Sequence, residues 1–456
     1  MNLPWLKQPP GKKLVAALAV ICAGVANAGS FQDMYLAALH GDPVFAAARA
    51  EREAADSLVT QARGQLLPQV AVNGARIKNS LDNQVQTTLY GTVRRNYDFV
   101  SHSASLNLSQ ALFRPQAWLA YNQSKSQVLQ AEGIYRQAAQ DLTLRFSQAY
   151  FEVLLAEDNL ALSKEQKLAI EEQLKQAKRY FEAGVGTITD INEAQARYDT
   201  IQAQELAADN NLELKIRSLE QIAGDVGRKF QRISSGMELE LPQPSDVNAW
   251  LEFSLANNPS IKAREAALAV AESEVHKNFA AHLPTVDLVA SRGRNENPGY
   301  TTLDTVNWTN TLGVQFSIPL FAGGTTQGRV NQSASLREKA RYDLEATRRA
   351  VIQSTRQEYL NVINGVAQIK ALRQAVKSNE LALYSARKGL EAGLRTSFDV
   401  LNAQQLVFSA KRDLALERYR YVSSRLRLRA AAGMLGDEDI ALVQNWLISP
   451  DPAKQD

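Results

Sequence analysis

The sequence predicts an α+β membrane protein built as two tandem repeats, each with a helix, a β-hairpin and a long helical hairpin. Three observations predict it: two long windows contain no proline, the second half overlies the first at nearly constant offset, and short alternating apolar and polar segments separate the helical stretches. The chain has 456 residues, 45% of them hydrophobic, and a mean hydropathy of −0.28. No run of 18 or more apolar residues occurs beyond the leader, which excludes a polytopic helical membrane protein. The 51 Lys and Arg are interspersed with 48 Asp and Glu for a net charge of +3, so nucleic acid is not an expected partner.

Residues 1–28 read as a secretory signal peptide. Lys12 and Lys13 precede an apolar stretch over 14–25 that ends in Ala26-Asn27-Ala28, an A-x-A site that predicts cleavage between Ala28 and Gly29. A lipoprotein is the rival reading, because Cys22 lies in that stretch, but a lipobox wants Ala or Gly before the cysteine and Ile21 stands there. Cys22 is the single cysteine, so the mature chain needs no disulfide in an oxidising compartment.

The first repeat is expected over 29–245 and the second over 246–456, the latter ending in a short C-terminal tail. All 14 prolines lie outside 116–241 and 320–449, and such windows can hold long helices. Gly184 and Gly186 interrupt the first window, and Gly389 and Gly393 the second, so each reads as a helical hairpin. The first arm, 117–182, would be about 100 Å long. Pro43 and Pro68 match Pro259 and Pro284 at an offset of 216. Asn122-Gln123-Ser124 and Glu182-Ala183-Gly184 match Asn331-Gln332-Ser333 and Glu391-Ala392-Gly393 at 209. The seven residues missing from the second copy mark the stretch between Pro284 and Phe321 as loop-bearing.

Heptad spacing supports the hairpins. Stepping by four and three from Leu142 to Phe181 meets apolar residues at ten of twelve positions, Ser163 and Lys167 being the exceptions. The track from Val351 to Leu390 scores eight of twelve, and the return arms score eight of ten each. A seam this long predicts coiled-coil packing rather than helices laid on a globular core.

Four segments alternate as strands do. In 307–320, Trp308, Leu312, Val314, Phe316, Ile318 and Leu320 alternate with polar residues, and Ala104, Leu106 and Leu108 do so in the first half. Weaker partners are 70–78 and 286–292, with polar linkers expected at 79–100 and 295–305. One-sided alternation with Trp308, Phe316, Phe113, Phe321, Tyr97 and Phe99 toward segment ends suits a lipid-facing barrel strand with aromatic girdles. Four strands cannot close a barrel; two chains would supply eight, whose interior side chains fill, and three would supply twelve and leave a lumen.

The order helix, Pro43, Leu66-Leu67-Pro68, hairpin, Leu112-Phe113, then Tyr180-Phe181-Glu182-Ala183-Gly184 and Thr189-Asp190-Ile191 is echoed in the second half. There it reads Pro259, His282-Leu283-Pro284, Ile318-Pro319-Leu320-Phe321-Ala322-Gly323-Gly324, Ala392-Gly393 and Asp399-Val400-Leu401. This doubled order closely resembles the TolC family of outer-membrane exit ducts across essentially the whole mature chain. The resemblance implies a homotrimer in outer-membrane lipid, its four strands per chain making a twelve-stranded barrel that continues as an α-helical coiled-coil barrel through the periplasm. It implies a periplasmic adaptor (membrane fusion) protein and an inner-membrane transporter of RND, ABC or MFS type as partners, docking at the hairpin tips around Gly184, Gly186 and Gly393. It also implies a periplasmic gate at Thr189, Asp190, Arg395 and Asp399. Asn402 stands where a second acidic ring residue is expected, and Leu390 where a tyrosine link is expected. Asp190 and Asp399 also suit plain helix capping, since a carboxylate favours the N-terminal end of a helix, so both readings stand.

Catalytic motifs are missing. His40, His102, His276 and His282 have no metal-site spacing, residues 323–329 lack the Lys and Ser or Thr of a phosphate loop, and no serine lies in a G-x-S-x-G elbow. The expectation is a non-enzymatic passive duct without cofactors. A periplasmic coiled-coil adaptor or structural protein is the alternative, though adaptors carry one hairpin and this chain two.

Overall fold

The computed structural model describes residues 30–87, 91–234, 237–297 and 305–448; the expected signal peptide and its Ala28–Gly29 bond lie outside them. Helices α1 (Phe31–Gly41) and α2 (Pro43–Gly64) lead to strands β1 (Gln69–Thr87) and β2 (Gly91–Phe113), then to α3 (Pro115–Glu182) and α4 (Ile188–Ala223). A short strand, β3 (Arg232–Ile233), precedes α5 (Val247–Asn257), α6 (Pro259–Phe279) and a 3₁₀ turn at Ala280–His282. Strands β4 (Thr285–Asn297) and β5 (Thr305–Ser317), helices α7 (Thr325–Glu391), α8 (Ser397–Ala431) and α9 (Asp437–Trp446), and strand β6 (Leu447–Ile448) complete it. Among the described residues no helix is long and apolar enough to cross a membrane.

Prolines set the helix boundaries. One helix was expected before each hairpin; there are two, broken at Pro43 and Pro259, because the residue before a proline is driven out of the helical region. Asp42 and Asn258 use that extended conformation to cap the next helix, accepting from the N–H of Phe45 at 2.7 Å and of Ser260 at 3.0 Å. With no proline beyond the first position of α3 and none in α7, they run for 68 and 67 residues, about 100 Å each.

The expected seam is the packed one. Every position of the α3 track from Leu142 to Ala177 is buried except Lys167, which is half-buried; Ser163 is buried, and only the terminal Phe181 is exposed. Polar interruptions pair across it: Lys167 Nζ is 2.7 Å from Glu205 of α4, and Lys215 of α4 is 2.9 Å from Glu152. Burial opposes charge on Glu152, but hydrogen bonds from Gln148 and Lys215 win and hold its carboxyl below the usual range.

A collar of short elements surrounds the long helices at mid-length. Phe31 of α1 lies 5.1 Å from Phe146, 4.9 Å from Tyr150 and 6.1 Å from Phe151 between ring centroids. The Tyr150 hydroxyl donates to the carbonyl of Gln231 at 3.1 Å and accepts from its N–H at 3.0 Å. Tyr421 treats Glu240 the same way, at 2.8 and 3.1 Å, so a buried tyrosine from each hairpin pins the segment between α4 and α5. The C-terminal tail is more than the short extension expected: α9 packs against α1, and β6 pairs with β3.

Strands β1, β2, β4 and β5 form one antiparallel sheet in the order β1-β2-β4-β5. The linker expected at 79–100 is strand in all its described residues, Asn79 pairing with Phe99 and Thr87 with Gly91. Its polar residues misled because both faces of a ribbon that outruns the apolar layer can be wet. Conversely, 318–320 lie beyond the end of β5.

Candidate functional site: a two-faced sheet and two capped hairpin tips

Residues directly opposite in an antiparallel pair share a face, so the register assigns both faces of the sheet. One row reads Val70, Leu108, Ala290, Leu312. Toward the helices, a bulge between Ala111 and Phe113 turns Phe113 onto that same face, in a row with Val286 and Phe316. The opposite face reads Asn73, Ser105, Gly293, Thr309 in one row and Ala71, Asn107, Ser291, Thr311 in the next. Its carboxylate, Asp287, is held by Arg114 at 2.7 Å. Apolar and small polar side chains therefore separate onto two faces, as a wall between lipid and water requires.

At the helix end of the sheet the exposed apolar residues thicken into a belt. Leu67, Phe113, Trp118 and Phe279 are exposed, and Leu320 and Phe321 are 92% and 89% exposed. Tyr97 and Phe99, expected in the girdle, instead share the face of Asn107 and Ser105, because their odd positions in β2 place them on the other side of the pleat.

At the far ends of the long helices the chain reverses in two matching tips. Gly184 and Gly393 take φ +74° and +72°, the left-handed conformation that ends a helix with its last carbonyls satisfied. The N–H of Val185 then donates to Tyr180 at 2.9 Å, and that of Leu394 to Gly389 at 2.7 Å. Close approach places a second glycine differently in each. A Cβ on Gly186 would lie 2.9 Å from the Phe181 nitrogen, whereas in the second tip Gly389 is the glycine, and a Cβ there would lie 2.6 Å from Cγ of Arg395.

The return helices begin with matching capping boxes. Asp190 Oδ2 accepts from the N–H and hydroxyl of Thr187 at 3.0 and 2.7 Å, and Asp399 Oδ2 from those of Thr396 at 3.0 Å each. The Thr396 backbone N–H, then its hydroxyl, hold the Asp399 carboxyl below the usual range, with Arg395 adding to them against a small desolvation. Arg395 Nη1 stands 3.9 Å from Asp399 Oδ1, while Thr189 is exposed on the first turn of α4. Both aspartates are caps in the folded chain.

The sequence matches the outer membrane efflux protein family over residues 34–225 and 250–434. The chain belongs to that family. It is 33% identical over 433 residues to the alkaline protease secretion protein AprF of Pseudomonas aeruginosa, covering 93% of this chain and 88% of the relative. It is 31% identical over 447 residues to the outer membrane protein TolC of Escherichia coli, covering 94% and 87%. Its fold is that of the outer membrane protein VceC of Vibrio cholerae, with a TM-score of 0.76 at 19% identity over 88% of this chain and 96% of that one. The CmeC outer membrane channel of Campylobacter jejuni gives 0.77 at 18% identity over 93% and 90%.

As an outer membrane efflux protein, the chain also carries a tip contact that sequence reasoning missed. Arg197 of α4 donates to Asn402 at 2.5 Å and to Gln405 at 2.6 Å, both on α8, and its guanidinium lies 5.8 Å from the ring centroid of Phe398. Asn402 is therefore engaged by a cation from the neighbouring hairpin of its own chain. Nothing local distinguishes Arg197 from other arginines on the return helices; only the packing of α4 beside α8 selects it.

Proposed function

We propose that this protein is the passive outer-membrane exit duct of a tripartite efflux pump or type I secretion system, carrying small molecules or proteins across the periplasm and outer membrane. The two-faced sheet joined to helices about 100 Å long carries the reading. The apolar face meets lipid, the Ser, Thr and Asn face lines water, and the helices extend the conduit away from the bilayer. Strands β1 and β5 are the two edges of the sheet, and open edges are not tolerated in hydrocarbon. Three copies pairing β5 to β1 give twelve strands and a lumen, whereas two give eight and a filled interior. The two tandem repeats, 29–245 and 246–456, each supply one strand hairpin and one helical hairpin. Energy comes from the inner-membrane transporter, and the tips around Gly184, Gly186 and Gly393 receive the adaptor.

In the closed trimer three copies of Asp399 face the axis, and Arg395 links to Asp190 or Thr189 of an adjacent hairpin. Capping and gating are compatible, because each cap uses Oδ2 and leaves Oδ1 outside it. Asn402 adds no charge to the ring and is bonded to Arg197, which makes the throat less acidic than two aspartates would. The test is single-channel recording in planar bilayers. Arg395→Ser raises conductance, and Asp399→Ala weakens cation preference and block by polyvalent cations. If both variants only lower thermal stability and leave conductance and selectivity alone, the gate assignment fails. Recovery of the protein as a soluble periplasmic monomer, rather than with outer membranes resistant to salt extraction, ends the duct reading.

A further inference from the structure

On the apolar face, the chemistry changes abruptly partway along the strands. From the helix end, β4 reads Val286, Leu288, Ala290 and then Arg292 and Arg294; β1 reads Val70, Val72, Gly74 and then Arg76 and Lys78. The change falls six residues up each strand, and the register gathers the cations into one belt. Arg76 faces His102 across β1 and β2, His102 faces Glu296, and Arg294 lies in a row with Ala104 and Trp308. The guanidinium groups of Arg292 and Arg294 lie 5.5 and 5.8 Å from the Trp308 ring centroid.

At the same level the opposite face is uncharged: Asn73, Ala75, Ser103, Ser105, Gly293 and Asn295. The cations therefore stand on the lipid side and not on the water side. An arginine on that side costs about 2–4 kcal/mol at the bilayer midplane and almost nothing at the interface, so the belt belongs at headgroup level. A strand needs about 9–11 residues to cross, and the ten residues from exposed Leu67 to Arg76 and the ten from exposed Leu283 to Arg292 supply that length. The headgroup layer therefore begins near Arg76 and Arg292, with β1 and β2 running on to Thr87 and Gly91. Trp308 is the residue type that favours this layer. Because the long helices leave the other end of the sheet, the layer is the outward leaflet.

The belt carries four cations against one carboxylate, Glu296, which is already 2.9 Å from Arg294. Asp98 lies a row further out, opposite Ser80, and Asp82 beyond it is spent on Arg94 at 3.3 Å. A zwitterionic headgroup has no net charge to answer this surplus. A phosphorylated saccharide does, with phosphates for the guanidinium forks and a sugar face for Trp308. We infer that this rim is a docking site for the phosphorylated glycolipid of the outer leaflet, an inference that rests on the duct reading above.

The test uses the full protein purified in non-ionic detergent, titrated with bis-phosphorylated lipid A, with dephosphorylated lipid A and with phosphatidylglycerol, counting bound lipid by native mass spectrometry. The bis-phosphorylated form should bind most tightly. Replacing both arginines, Arg292→Ser with Arg294→Ser, should weaken it about thirtyfold, from the attraction of each cation to an anionic lipid surface. Glu296→Gln, which frees Arg294 and removes the one carboxylate, should tighten it. Equal binding of dephosphorylated lipid A or phosphatidylglycerol, or an unchanged affinity in either variant, overturns the inference. The duct reading is tested apart from it, by membrane fractionation and conductance of the unsubstituted protein, so the two fail separately.

Discussion

At the hairpin tips, single residues decide how tightly the chain turns. Position 186 of the first tip corresponds to 395 of the second, and 180 to 389, each 209 residues on. The first tip has Tyr180 with Gly186, and the second has Gly389 with Arg395, so each closes with one large and one absent side chain in opposite order. Gly186→Ala meets backbone that cannot yield, and the expected cost is about 1–3 kcal/mol, read as a lowered thermal midpoint. Gly389→Ala meets an arginine stem that can swing away, so stability should fall less, while conductance rises as Arg395 leaves its place. A second expectation concerns pH. The Asp399 carboxyl is depressed in the folded chain by the Thr396 N–H and hydroxyl, so its capping contribution is fully present above the ordinary carboxylate value of about 3.9 and is lost as pH falls through the folded value. The protection factors of the amides of residues 396–400, that is exchange corrected for the intrinsic rate at each pH, should therefore fall on acidification below about pH 4 and stay flat above about pH 5. Loss of protection near neutrality would contradict the cap.

Among the elements, the seam between α3 and α4 shows how a coiled coil absorbs polar positions. Lys167 and Glu205 are 27% and 22% exposed and 2.7 Å apart, partly desolvated charges whose worth lies mainly in each other. Lys167→Leu alone and Glu205→Leu alone should each lower stability, and the double substitution should be close to neutral. Denaturant midpoints of the four proteins check this, and additive losses would show that the two side chains act independently. The helices themselves were legible because proline is a hard punctuation and the 3.5-residue spacing persists for about 40 residues along α3. The strands were half legible. Where one face meets an apolar layer the alternation is visible, but residues 79–100 carry no such contrast, and only pairing with their neighbours makes them strand.

For the whole molecule, the unpaired edges β1 and β5 have the largest consequence. The stretch of the β1 edge that lies in the hydrocarbon, left open, would leave backbone groups unsatisfied at several kcal/mol each, so the isolated chain should aggregate and closure by three copies should be strongly favoured. Chemical cross-linking in detergent or membranes should pass through dimers and stop at trimers; accumulation that stops at dimers would contradict the twelve-stranded arrangement. The residues around Cys22 lie in the expected leader, so single cysteines can be placed along either edge without a background thiol in the mature chain.

What the sequence determined by itself is what local rules control: helices that prolines end and a heptad spacing sustains, strands where pleat and solvent agree, glycines where the chain must turn, and candidate caps where an acid stands at the start of a return helix. What only the tertiary structure decided depends on which elements become neighbours. Register put Tyr97 and Phe99 on the polar face and gathered Arg76, Arg292 and Arg294 into one rim. The packing of α4 beside α8 brought Arg197 to Asn402, and the collar recruited Tyr150 and Tyr421 to hold the segment between the hairpins. These contacts join residues tens to hundreds of positions apart, and no local spacing encodes a partner at that distance, because it is the burial of whole helix and sheet faces that brings them together.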